Sequence, residues 1–109
     1  MEGTIVVSAR STEKILAAPE ALSLDTRTTF RRAATDMLEE LPEGNGRLVI
    51  DLSATRTVDS AGLGALMLIQ RLAAERRQPV VLRNPSEEIR FLLTITKLYD
   101  LFTVERSYD

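Results

Sequence analysis

The sequence predicts an α/β fold, one mixed β-sheet with helices packed mainly on one face. Three observations carry this expectation. Short β-branched and apolar runs alternate with stretches of helical periodicity, in the order ββαβαβαβ. One of those runs, RLVIDL at 47–52, is apolar almost throughout, as strands in the middle of a helix-covered sheet are. The 109 residues suffice for one domain and leave no room for a second. A single domain over 1–109, with a core at about 5–105, is therefore expected.

In chain order, residues 4–8 (TIVVS) are β-rich and residues 13–18 (EKILAA) form a second short run. The two are expected to pair as a hairpin, the second ending at Pro19. Residues 22–25 (LSLD) lead into a helix. In it Phe30, Ala33, Ala34, Met37, Leu38 and Leu41 recur at helical spacing, with Arg31, Arg32, Asp36, Glu39 and Glu40 opposite. PEGNG at 42–46 breaks the helix. After the strand at 47–52, residues 53–58 read as a short connection. A long helix follows at about 61–77, with Asp59 and Ser60 immediately before it. Its first half, AGLGALMLI, is apolar nearly all round, so both sides are expected to be covered and Met67 to lie in the core. Arg71, Arg76 and Arg77 read as its solvated end. Residues 79–83 form another strand. Asn84, Pro85, Ser86, Glu87 and Glu88 then open a helix with Pro and acids in its first turn. That helix carries Ile89, Leu92, Leu93 and Ile95. Residues 101–105 are the last strand, with Tyr99, Leu101 and Phe102 packing around it.

Composition excludes several chemistries. Cysteine is absent, which removes disulfides, thiolate nucleophiles and zinc–thiolate sites. Histidine is absent as well, so Ser–His–Asp and Cys–His catalysis are impossible within this chain. No metal site and no cofactor are expected. Fourteen basic and 16 acidic groups give a net charge of −2, no footprint for direct nucleic-acid binding. The opening MEGTIVVSAR has no basic region followed by a long apolar run, so no signal peptide and no membrane span are expected. These features are compatible with a reducing cytosol, and a cytoplasmic domain is expected.

The centre of interest is the segment from Asp51 to Gly64. A buried strand runs into a loop that delivers Asp59 and Ser60 to a helix N-terminus, where free backbone N–H groups and the positive helix end face outward. An Asp or Ser at that place is also simply a helix cap. Gly62 and Gly64 stand inside the first turns, where each costs about 1 kcal/mol relative to Ala. Close approach of a partner or tight helix–sheet packing would each account for them.

Val58, Asp59, Ser60, Ala61, Gly62, Leu63 and Gly64, after LVIDLS at 48–53, resemble the signature of STAS domains, and more narrowly of anti-sigma factor antagonists. The resemblance runs from about residue 5 to 105. It takes in Leu24, Asp25 and Thr28, the turn Asn84, Pro85 and Ser86, and the closing LYDLFTV at 98–104. It implies a STAS-like fold and a phosphorylation switch. Ser60 corresponds to the serine phosphorylated by a partner kinase, an anti-sigma factor of histidine-kinase-like ATPase fold. A PP2C-type phosphatase resets the switch. The unphosphorylated form binds the partner and the phosphorylated form releases it. Asp25 and Asp59 would flank the phosphosite, and Ala61, Gly62, Leu63 and Gly64 would contact the partner. Ala61 stands where a second hydroxyl is common, leaving Ser60 the only one in the turn. A STAS subunit of a membrane transporter or of a stress-sensing assembly is the alternative within the same fold.

Two other readings fail on the residues. A response-regulator receiver would use Asp51 as phosphoacceptor, but no acidic pair follows the first strand and no Lys lies beyond Lys97. Carboxylate catalysis by Asp25, Asp51 and Asp59 lacks a phosphate loop with lysine, and acids at strand ends are commonly caps and turn residues. The chain is expected not to be an enzyme.

Overall fold

The computed structural model describes residues 12–106. Four strands form one sheet in the order β1 (Glu13–Ala17), β3 (Arg47–Asp51), β5 (Val80–Arg83) and β6 (Thr103–Glu105), every pair parallel. Three helices intervene: α1 (Arg27–Glu40), α2 (Ser60–Glu75) and α3 (Glu87–Ile95). The expected strand at 4–8, whose hairpin would make the sheet mixed, lies outside the described residues.

Side-chain alternation explains the layering. Leu48, Ile50, Val80 and Leu82 point to one face and join Phe30, Ala34 and Leu38 of α1, Leu66, Ile69 and Ala73 of α2, and Ile89 and Leu93 of α3 in a single core. The opposite face carries buried Val49 and Val81, flanked by the cross-strand ion pairs Arg47–Glu13 at 2.6 Å and Arg83–Glu105 at 2.8 Å. The helices thus lie on one side, as their apolar stripes require. Ser86 caps α3 by accepting from the Ile89 N–H at 3.2 Å.

Residues 53–58 are not merely a connection. They contain β4 (Thr57–Val58), which pairs in parallel with β2 (Ala21–Leu22) in a second, two-stranded sheet. α2 starts at Ser60 and ends at Glu75, and it is covered on one side only: Gly64 and Met67 are exposed, Met67 to 47%. Met67 is therefore a surface residue, not core. Ile95 and Leu101, at 57% and 47% exposed, likewise stand outside the packing assigned to them.

The helix ends hold another correction. Arg76 is not simply solvated. Its Nη2 donates to the Leu41 carbonyl at the end of α1 and its Nε to Gln78 Oε1, both at 3.1 Å. Buried Gln78 donates from Nε2 to the Leu41 and Pro42 carbonyls, both at 3.1 Å, and to that of Leu38 at 3.4 Å. One amide thus satisfies carbonyls that the end of α1 would leave orphaned. Replacing Gln78 by Leu strands them in an apolar site and is expected to cost about 1–3 kcal/mol. A urea-unfolding midpoint unchanged from wild type would contradict this role.

Candidate functional site

The segment 20–24 zips against the segment 56–62. The Arg56 N–H donates to the Glu20 carbonyl at 2.8 Å and the Asp59 N–H to the Leu22 carbonyl at 3.2 Å. The Asp59 carboxylate closes the zipper: Oδ1 accepts from the Gly62 N–H at 2.9 Å and Oδ2 from the Leu24 N–H at 3.2 Å. Asp59 is thus the N-cap of α2 and also its tether to a loop 35 residues earlier. The Gly62 N–H bond, more than the others, draws its pKa below the ordinary carboxylate value.

Ser60 is the first residue of α2 and is exposed, beyond the carboxyl ends of β3 and β4. That edge is where open α/β sheets bind ligands. Asp59 rather than Ser60 does the capping, so the helix start does not engage the Ser60 hydroxyl. Gly62 is buried, and a Cβ there would lie 2.1 Å from the Leu22 carbonyl oxygen. Tight helix–strand packing explains this glycine. Gly64 is exposed, and a methyl added there would meet nothing within 4 Å. The accessible part of the turn is therefore Ala61, Leu63 and Gly64, with exposed Leu24 beside them.

Asp25 is exposed and lines a different depression, shared with Leu16, Pro19, Thr26, Thr29 and Phe30 at the β1–α1 edge. On the side of Ser60 that faces α1, Arg27 and Arg31 line a depression of about 230 Å³ together with Ser60, Ala61, Gly64, Ala65 and Leu68. Their four-residue spacing on α1 was the one available signal.

A second polar group sits at the same edge. Asp51 Oδ1 accepts from the Ser53 hydroxyl at 2.6 Å and the Ser53 N–H at 2.9 Å, and Asn84 Nδ2 donates to Ser53 Oγ at 3.1 Å. The Ser53 hydroxyl, then its N–H, lower the Asp51 pKa, and Arg83 adds to this. Asp51 is thereby engaged in fixing the β3 exit.

Both lowered carboxylates bear on acid stability. A group with a depressed folded-state pKa stabilises the fold above its unfolded value and loses that contribution as pH falls through the folded one. Unfolding midpoints are expected to drop below about pH 4. The double variant Asp51→Asn/Asp59→Asn should be less stable at pH 7 and show a flatter acid limb. An acid limb as steep as that of wild type would contradict the assignment.

The site is thus an exposed serine at the start of α2, beside a zipped loop at the edge of a parallel sheet. The family model described as Mlab, STAS domain, matches residues 5–103. The chain belongs to the STAS-domain family. Solved structures share its fold. A Thermotoga maritima protein proposed to be an anti-sigma factor antagonist superposes with a TM-score of 0.76 at 21% identity, covering 88% of this chain and 80% of that one. The anti-sigma factor antagonist SpoIIAA, in its unphosphorylated form, gives 0.67 at 13% identity over 91% of this chain and 83% of its own. A sulfate transporter family protein from Wolinella succinogenes gives 0.74 at 15%, over 86% and 76%. No curated protein matches the sequence. Among the described residues no helix is long and apolar enough to cross a membrane.

Proposed function

We propose that the domain is an anti-sigma factor antagonist, a binding module switched by phosphorylation of Ser60. The observation that carries this is the exposed Ser60 hydroxyl at the start of α2, inside the Val58 to Gly64 signature, with its capping duty taken by Asp59. In the unphosphorylated state the surface of Ser60, Ala61, Leu63 and Gly64 docks a kinase that is also an anti-sigma factor. Ser60 Oγ then attacks the γ-phosphorus of the partner's ATP. A new O–P bond forms, the bond to the bridging oxygen breaks, ADP leaves, and the hydroxyl proton passes to a base on the partner. The domain is substrate, not catalyst. A PP2C-type phosphatase reverses the change. Asp59 adds negative charge beside Ser60, Asp25 stands at the neighbouring β1–α1 edge, and the site lies in a cytoplasmic single domain.

A transporter-linked STAS subunit is the second reading, favoured by the Mlab description of the matching family model and by the sulfate transporter relative. The discriminating test incubates the full chain with source-cell lysate and ATP, then maps phosphopeptides. Phosphate at Ser60, absent from Ser60→Ala, supports the switch. An unmodified Ser60, or incorporation unchanged in Ser60→Ala, overturns it.

A further inference from the structure

We propose that Arg27 and Arg31 form an intramolecular clamp for the phosphoryl group of phospho-Ser60. This inference rests on the phosphorylation proposed above and adds what holds the phosphate once it is there. The two arginines stand one helical turn apart on α1, so their side chains share a face. Both are exposed, and both line the depression that Ser60 lines from α2. Neither forms an ion pair among the described residues. The floor between the helices is kept open by the small residues Ala61, Gly64 and Ala65.

The electrostatics suit a phosphate and little else in the chain. A phosphoserine brings about −1.5 to −2 charges at pH 7, which two guanidinium groups match. Arginine presents a planar fork that pairs bidentately with phosphate oxygens. The charged groups facing Ser60 are Arg27 and Arg31 from α1 and Asp59 at its own helix start, with Asp25 further back along the chain. Asp59 is already engaged by the Gly62 and Leu24 N–H groups. The clamp therefore adds to the compensation that the start of α2 offers a phosphate placed next to a carboxylate. It also has a consequence for docking: in the free hydroxyl form both exposed arginines are available as donors to a partner, and phosphorylation engages them at Ser60.

The test uses the full chain with phosphoserine installed at position 60 during translation, and follows its phosphorus NMR signal through a pH titration. The expected second phosphate pKa lies about 0.5 units or more below that of the same chain unfolded in urea. Arg27→Gln/Arg31→Gln should raise it toward the unfolded value, and 0.5 M salt should do so in part. Circular dichroism of the double variant establishes that it folds. A phosphate that titrates alike in wild type and double variant overturns the clamp. Because the phosphoserine needs no kinase, that result leaves the phosphopeptide mapping to decide the switch itself.

Discussion

Gly62→Ala is expected to destabilise the domain by about 3 kcal/mol or more, the upper end of what overpacking costs. The added methyl would sit 2.1 Å from the Leu22 carbonyl oxygen and 2.8 Å from its carbon. Backbone cannot rotate out of the way as a flexible side chain can, so α2 must move off the β2 segment. That movement stretches the bonds that close the zipper, from Asp59 N–H to Leu22 and from Gly62 N–H to Asp59. The gain in helix propensity, about 1 kcal/mol, does not offset this. A fall in Tm of roughly 10 °C or more follows. Gly64→Ala is the matched control. Nothing lies within 4 Å of its new methyl, so stability should hold or rise by up to about 1 kcal/mol. Equal melting of the two variants would contradict the packing role of Gly62.

Ser60→Asp is expected to weaken partner binding on the order of 10²-fold while leaving the fold intact, since a charge that must be desolvated or opposed at an interface costs several kcal/mol. The fold should tolerate the change for local reasons. Position 60 is exposed and is the first residue of α2, where an acidic side chain faces unpaired N–H groups and the positive helix end. Asp59 keeps its capping bond to Gly62, so the helix start does not depend on the serine hydroxyl. The effect should fall on a docked surface, where a carboxylate replaces a small neutral hydroxyl. Unchanged circular dichroism with lost affinity is the expected pair of results. Loss of the fold would place Ser60 among structural residues.

Much of the architecture was legible because it is periodic. The stripe of Phe30, Ala34 and Leu38 and the continuous run Leu48 to Leu52 each report burial directly through spacing, and nearly all of these residues are buried. What depends on distant chain was not legible. β4 is two residues long and exists because residues 20–22 pass alongside it, a contact no local pattern announces. Met67 is apolar within an apolar run, and hydrophobicity does not say which side of a helix the sheet will cover. Gly62 and Gly64 look alike in sequence, yet only the position of the Leu22 carbonyl separates them. At the site, the order Asp59 then Ser60 was readable, and so was the cap. The tether of Asp59 to Leu24 and the placement of Arg27 and Arg31 opposite Ser60 arise from how α1 and the 20–24 loop pack on α2.

In the proposed function, Ser60 switches the docking of a kinase-like anti-sigma factor. That switch is tested most directly by paired pull-downs from source-cell lysate with wild-type and Ser60→Asp baits, read by mass spectrometry. Wild type is expected to retain a protein of histidine-kinase-like ATPase fold and the Asp variant to lose it. Recovery of the same transport components by both baits, or of no kinase by either, would contradict the switch and return Ser60 to an ordinary first-turn residue of α2.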